Sequence, residues 1–221
     1  MTRYTLGGFA RRRAGRVAVA ASLVGVFSGA LAVGAQAADF DSIYRTANTY
    51  WGCVDGEPGD YFCRTDNGLL TFVIEPGMTD KGDADVRAVL ANEYGPTDLQ
   101  RSEHTGSEVE YSGSTETDIV YDYEPGDLGP GVLGVTWCND STGGDECDQH
   151  YVLFEHSDPW QSTICHETGH AVGLTHGREA SPRQDNGLSA LGCMRAESFT
   201  SDMRDLGSHN VGQINGTYAA P

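Results

Sequence analysis

The chain has 221 residues, of which 38% are apolar and 21% charged, with 29 glycines and 8 prolines. That mix excludes a multi-span membrane protein, a long coiled coil and a collagen, and it leaves enough apolar residues for a packed core. With 14 Lys+Arg against 32 Asp+Glu the formal charge is −18, a surface that repels phosphate backbones, so no nucleic-acid partner is expected.

The first residues read apart from the rest. Arg11, Arg12, Arg13 and Arg16 precede an apolar run from Val17 to Val33, and Ala35-Gln36-Ala37 follows. A basic start, an apolar middle and small residues at the end describe a secretory signal peptide cut after Ala37. Glycine and alanine dilute the run, which disfavours a membrane anchor. Five arginines leave with the leader, so the 184 residues from 38 to 221 carry 9 basic against 32 acidic groups, a net −23. They are read as a single secreted domain, a monomer with no membrane attachment.

All six cysteines lie in the exported part: Cys53, Cys63, Cys138, Cys147, Cys165 and Cys193. An even count in a secreted chain points to disulfides. Proximity pairs Cys53 with Cys63 and Cys138 with Cys147, which leaves Cys165 for Cys193. Zinc thiolates are the rival use, but no two cysteines have C-x-x-C spacing.

In chain order, Leu69–Ile74 is a short apolar run ending at Pro76 and is read as a buried strand. Val86, Val89, Leu90 and Tyr94 recur near helical spacing, so 83–94 is an amphipathic helix, capped by Asp83 or Asp85 and stopped at Gly95-Pro96. Residues 97–117 are polar and ambiguous. Strands are expected at Asp118–Tyr123, Val132–Cys138 and His150–His156, the last two tied by a Cys138–Cys147 bridge. Ser157-Asp158-Pro159 then opens a helix to Val172, with Ser157 or Asp158 as its cap. Ser208 starts a short last helix carrying Val211, Ile214 and Tyr218. Strand, helix, several strands and then helices make an α+β domain.

One segment carries chemistry: His166-Glu167-Thr168-Gly169-His170-Ala171-Val172-Gly173-Leu174-Thr175-His176. On a helix, His166 and His170 lie one turn apart on one face, and two imidazoles so placed converge on one zinc ion. Glu167 flanks the ion without being obliged to bind it, which is the position of a general base. Gly173 is where the helix should end, in a left-handed turn that swings His176 back as a third ligand. Three neutral ligands leave the metal an open, electrophilic position.

This run resembles the extended H-E-x-x-H-x-x-G-x-x-H zinc signature of the metzincin metalloproteases. The likeness is sharp over roughly residues 130–218, only topological over 69–123 and absent before that. The small secreted bacterial snapalysin type has aspartate in place of the third histidine, whereas this chain keeps His176. The resemblance implies a metzincin-like catalytic domain, a twisted mixed sheet with an antiparallel edge strand, a zinc helix and a C-terminal helix. It also implies a methionine turn beneath the zinc, for which Met194 in Leu191-Gly192-Cys193-Met194-Arg195 is preferred to Met203, whose flanks are charged and polar. The activity implied is peptide-bond hydrolysis by water, with one catalytic Zn2+ on His166, His170 and His176 and with Glu167 as base. A protein or peptide substrate would lie antiparallel along an edge strand at Val132–Trp137, and a Cys165–Cys193 bridge would staple the zinc helix to the methionine turn.

Two rival readings use the same site: an exported zinc-binding protein without peptidase activity, and a zinc hydrolase of non-peptide amides or esters. His104, His150, His156 and His209 read as surface histidines. Asp80, Asp83 and Asp85 resemble a structural Ca2+ site only loosely, miss the EF-hand spacing and are read as a helix start. A short propeptide could come only from residues 38–68, and Cys53 has a ready partner in Cys63, which disfavours a cysteine-silenced zymogen.

Overall fold

Leu70 and Phe72, Ile119 and Tyr121, and Val152 and Phe154 are three buried pairs, each spaced two residues apart, and all six share one core. Period two puts each pair on the same side of its strand, so three apolar segments combine into one sheet face. The computed structural model describes residues 39–46, 48–49, 53, 55–56, 63–126, 128–196 and 200–219. The expected signal peptide, residues 1–37, lies outside the described residues. The described residues all belong to one unit, Gln36–Pro221.

The strands are β1 (Arg64–Thr65), β2 (Leu69–Ile74), β3 (Gln100–Glu103), β4 (Ile119–Tyr123), β5 (Gly134–Gly143) and β6 (Glu146–Phe154). Parallel pairings run β3–β2–β4–β6, with Phe72 beside Ile119 and Tyr121 beside Val152. The two-residue β1 pairs with the start of β6, and β5 lies antiparallel along the other side of β6. The result is a mixed α/β fold on a mostly parallel sheet. Helices α1 (Asp80–Asn92), α2 (Gln161–Ala171) and α3 (Gly207–Tyr218) supply Val86, Val89, Leu90, Ile164 and Ile214 to the same core.

Several boundaries differ from expectation. Helix α1 starts at Asp80 because the Thr79 side chain caps it, accepting from Gly82 N at 3.1 Å. Asp83 and Asp85 therefore lie inside the helix, and neither is the cap. Helix α2 begins after Trp160, beyond reach of the expected caps Ser157 and Asp158, and has no side-chain cap; Asp158 is instead bound to Lys81 at 2.9 Å. Strand β3 was hidden inside a polar stretch, its Gln-Arg-Ser-Glu sequence having no apolar residue to signal pairing with β2. The β5–β6 hairpin is longer at its tip than its apolar runs indicate. Its outer half, Asn139–Gly143 against Glu146–Gln149, is polar and is cross-linked by Cys138–Cys147.

Candidate metal centre

Helix α2 is short of apolar side chains yet almost wholly buried, so its polar groups need partners. Tyr94 donates to the Cys165 carbonyl at 2.6 Å, joining α2 to the turn after α1, and Tyr121 and Thr168 hydroxyls meet at 2.8 Å, joining it to β4. A Cys165–Cys193 disulfide ties it to the 189–194 segment. These anchors fix the side of α2 that carries His166 and His170.

Beyond Ala171 the chain reverses at Gly173, where φ is +92°. Leu174 N donates to Gly169 O at 2.8 Å, closing the turn, and a Cβ on Gly173 would stand 2.7 Å from Arg64 Cβ. The reversal returns His176 to the helix, and the Nε2 atoms of His166, His170 and His176 stand 3.1 Å apart in every pair. Ligand nitrogens on a tetrahedral zinc at about 2.0–2.1 Å are about 3.3 Å apart, so the triangle fits that ion.

The partners of the opposite ring nitrogens strengthen the fit. His166 Nδ1 donates to the Cys193 carbonyl at 2.7 Å and His170 Nδ1 to the Leu174 carbonyl at 2.9 Å. A carbonyl only accepts, so both rings carry their proton on Nδ1 and turn an Nε2 lone pair inward. At least two lone pairs therefore face one point, an arrangement that repels itself until a cation enters. Burial lowers the proton affinity of all three rings, assisted at His170 and His176 by the neighbouring rings and carrying His176 down to about 3. The rings are thus held in the neutral form that ligates.

Glu167 is 6% exposed, and burial pushes its carboxyl up to about 7 against the opposing pull of a Thr136 hydrogen bond. The Thr136 hydroxyl lies 2.9 Å from both the Glu167 carbonyl and its Oε2. Edge strand β5 can approach this closely because position 134 is glycine: a Cβ there would stand 2.8 Å from Glu167 Cγ. Together Gly131–Gly134, Thr163, His166, Glu167, His176 and Arg195 line a cleft of about 520 Å³.

Met194 is fully buried. Its thioether lies against Gly169, where a Cβ would stand 3.0 Å from Met194 Cε and closer still to Sδ. Met203 is only half-buried. The disulfides are Cys53–Cys63, Cys138–Cys147 and Cys165–Cys193, the pairs that proximity suggests. Cys53, Cys63 and Cys138 cluster closely, but every one of these sulfurs is in a bridge, so no thiolate is left to bind metal. Asp85 is engaged by Lys81 at 2.6 Å and Gln161 at 2.7 Å, and Asp80 and Asp83 lie in the first turn of α1.

Two histidines read as surface residues are not on the surface. His150 is 1% exposed on β6, and burial carries its pKa down to about 3. His209 is buried on α3, its ring tilted against that of Phe40 and bonded to Ser42 Oγ at 2.9 Å. His156 is exposed, and His104 is half-buried with Nδ1 3.1 Å from Thr117 Oγ1. None of the four joins the triad. Gly134 and Arg195 line the cleft and Thr136 holds Glu167 beside it, three roles the motif does not announce; only Gly134, a glycine inside a strand, carries a sequence sign of close backbone approach.

Among the described residues no helix is long and apolar enough to cross a membrane. No protein-family model matches the chain, and no curated protein matches it. Among solved structures, high choriolytic enzyme 1, a hatching-enzyme zinc protease of the medaka fish Oryzias latipes, is similar at 17% identity with a TM-score of 0.30. The match covers 55% of this chain and 56% of that one, so this chain spans about half the length of that protein.

Proposed function

We propose that this chain is a secreted zinc endopeptidase of metzincin type, in which His166, His170 and His176 hold one Zn2+ and Glu167 is the general base. The observation that carries the reading is the 3.1 Å triangle of Nε2 atoms, two of whose histidines, His166 and His176, line one cleft with the buried carboxylate of Glu167. A purely structural zinc site needs neither an open cleft nor an adjacent base. Kinship with the metzincins draws support from the spacing of the three histidines, the antiparallel edge strand and Met194 beneath Gly169.

Zinc, when bound, supplies Lewis acidity toward a water and a substrate carbonyl. Glu167 takes the proton from the attacking water and delivers it to the departing amine nitrogen. A carboxyl pushed up to about 7 by burial can both accept and release that proton near neutral pH. Thr136 holds the carboxylate in place and leaves Oε1 for the proton. Strand β5 pairs with β6 on one side only, so its other side offers backbone donors and acceptors to an extended peptide. Three disulfides and the leader-like sequence of residues 1–37 support export.

The test is casein digestion by the purified protein together with its zinc content by native mass spectrometry. One zinc per chain and chelator-sensitive digestion are expected. Glu167→Ala should keep the zinc and lose about 10²–10⁴-fold in turnover, whereas His176→Ala should lose both. A zinc-loaded protein that leaves casein and a mixed peptide library intact would instead be a zinc-binding protein without peptidase activity, or a hydrolase of other amides and esters.

A further inference from the structure

We infer that Arg195 selects the substrate, by receiving a carboxylate that the peptide carries beside the bond to be cut. This rests on the zinc-peptidase reading above and adds a substrate class to it. Among the described residues lining the cleft, Arg195 is the one permanent cation. Its Nε donates to the Gly192 carbonyl at 3.0 Å, which holds the guanidinium by one edge and keeps its terminal N–H groups for another partner. Arg45, Arg64 and Arg87 have carboxylates at 3.2, 2.9 and 2.7 Å, whereas Arg195, like Arg101, Arg183 and Arg204 away from the cleft, forms no ion pair with any described residue. A planar fork of donors in a half-buried cleft matches a carboxylate better than any neutral side chain.

Arg195 is also held rigidly. Cys193, two residues before it, is bonded to α2 through Cys165, and its carbonyl receives the His166 ring. Met194 is fully buried. The guanidinium stem therefore starts from a backbone fixed relative to the three histidines, so little ordering remains to be done when a ligand arrives. The overall charge of −18 argues the other way, since it repels acidic peptides from a distance. That repulsion is screened beyond about 8–10 Å, whereas a paired guanidinium acts at contact.

The cleft geometry gives the side of the scissile bond. A peptide antiparallel to β5 runs from the Trp137 end toward Gly134 and on to Gly131. Glu167 meets β5 at Gly134 and Thr136. Residues beyond the cleaved bond therefore lie along Gly131–Gly134, where the Arg195 cleft opens. The carboxylate belongs to the leaving-group half, as an Asp or Glu side chain or as a free C-terminus.

The experiment has two readouts on the full protein. The first is a cleavage profile of the zinc-loaded wild type on a peptide library containing both free-acid and amidated C-termini. The second is anisotropy binding of labelled alanine-rich peptides to Glu167→Ala, comparing Glu with Gln and a free with an amidated C-terminus. Acids should bind about tenfold more tightly than their neutral isosteres, the size of a charge-assisted bond at a half-buried site. Arg195→Gln should level the pair, and Arg195→Glu should reverse it in favour of a lysine peptide. An advantage confined to Glu peptides means side-chain selection; one confined to free C-termini means end recognition. Equal binding of acid and isostere by otherwise folded protein overturns the inference even if casein is digested, as does a preference that survives Arg195→Gln. Acid-selective binding with no cleavage anywhere keeps the carboxylate site and removes the peptidase. The wild-type comparison needs no substitution and stands if the variants fail to fold.

Discussion

Gly169 lies in α2 between His166 and His170, and replacing it with alanine tests whether Met194 supports the helix. The added methyl would stand 3.4 Å from Tyr94 Oη, 3.0 Å from Met194 Cε and nearer still to Sδ. Alanine gains about 1 kcal/mol of helix propensity over glycine. Against that, overpacking a closed core costs about 1–3 kcal/mol, and this site belongs in the upper part of that range. Met194 is 0% exposed, with its neighbour Cys193 bonded to α2, so the thioether cannot swing toward solvent. The balance is a net loss of about 1–2 kcal/mol in urea unfolding of the metal-free protein. Any retreat of Met194 also moves the Cys193 carbonyl that orients His166. Zinc affinity, read by chelator competition, should therefore fall about tenfold. Met194→Ala alone should cost about 2–5 kcal/mol. Combined with Gly169→Ala it should cost less than the sum by about 1 kcal/mol or more, because the new methyl then fills part of the space. A Gly169→Ala protein that is stabilised, keeps its zinc affinity and adds linearly with Met194→Ala would show that the sulfur does not press on the helix.

Two more outcomes follow from the buried groups. Removing the staple with Cys165→Ala/Cys193→Ala opens a loop of 28 residues, for which chain entropy alone gives about 3–4 kcal/mol; a urea midpoint that did not move would mean the bridge constrains nothing. Asp118 is buried, and desolvation raises its carboxyl from the usual 3.8 to about 6 despite hydrogen bonds from Thr71. Because the folded pKa lies above the unfolded one, its contribution is fully present below about 4 and is lost as pH rises through about 6. Asp118→Asn keeps an acceptor for Thr71 N, so the variant should gain on wild type between pH 4 and 6, by on the order of 2–3 kcal/mol, with no further change above pH 7. Parallel stability–pH curves for the two proteins would contradict the raised pKa.

The parts of the centre that could be read from the sequence are those set by local spacing. The four-residue step from His166 to His170 makes about one helical turn wherever the helix packs, and a glycine at 173 makes the reversal cheap at a φ of +92°. The same holds for β2, β4 and the apolar side of α1, whose periods survive in their own residues. The polar half of the β5–β6 hairpin and the strand β3 have no such period, because they face water or pair at an edge. The burial of His150 and His209 was also illegible: each is a single polar residue whose setting is decided by distant segments, Ser42 and Phe40 in the case of His209. Thr136 belongs to the same class. Nothing in Val-Thr-Trp announces that its hydroxyl will meet a carboxylate 31 positions later.

The groups that orient the histidines explain why a motif can name ligands and yet omit what aims them. Both established acceptors, the carbonyls of Cys193 and Leu174, are backbone atoms, so no side-chain identity encodes them and no single substitution deletes them. They can only be displaced. Displacement at 193 is resisted on every side: Gly192 takes φ of +54°, where a Cβ would stand 2.6 Å from the Asp205 carbonyl; Cys193 is bonded to Cys165; Met194 is packed beneath Gly169. Arg195 is anchored to the carbonyl of the same glycine. Four consecutive residues thus carry a turn, a cross-link, a packing contact and a cation on one short stretch of backbone. Substitutions within this stretch should therefore couple strongly to one another, and a change made for stability at 192 or 194 should also move the His166 ring and the charge in the cleft.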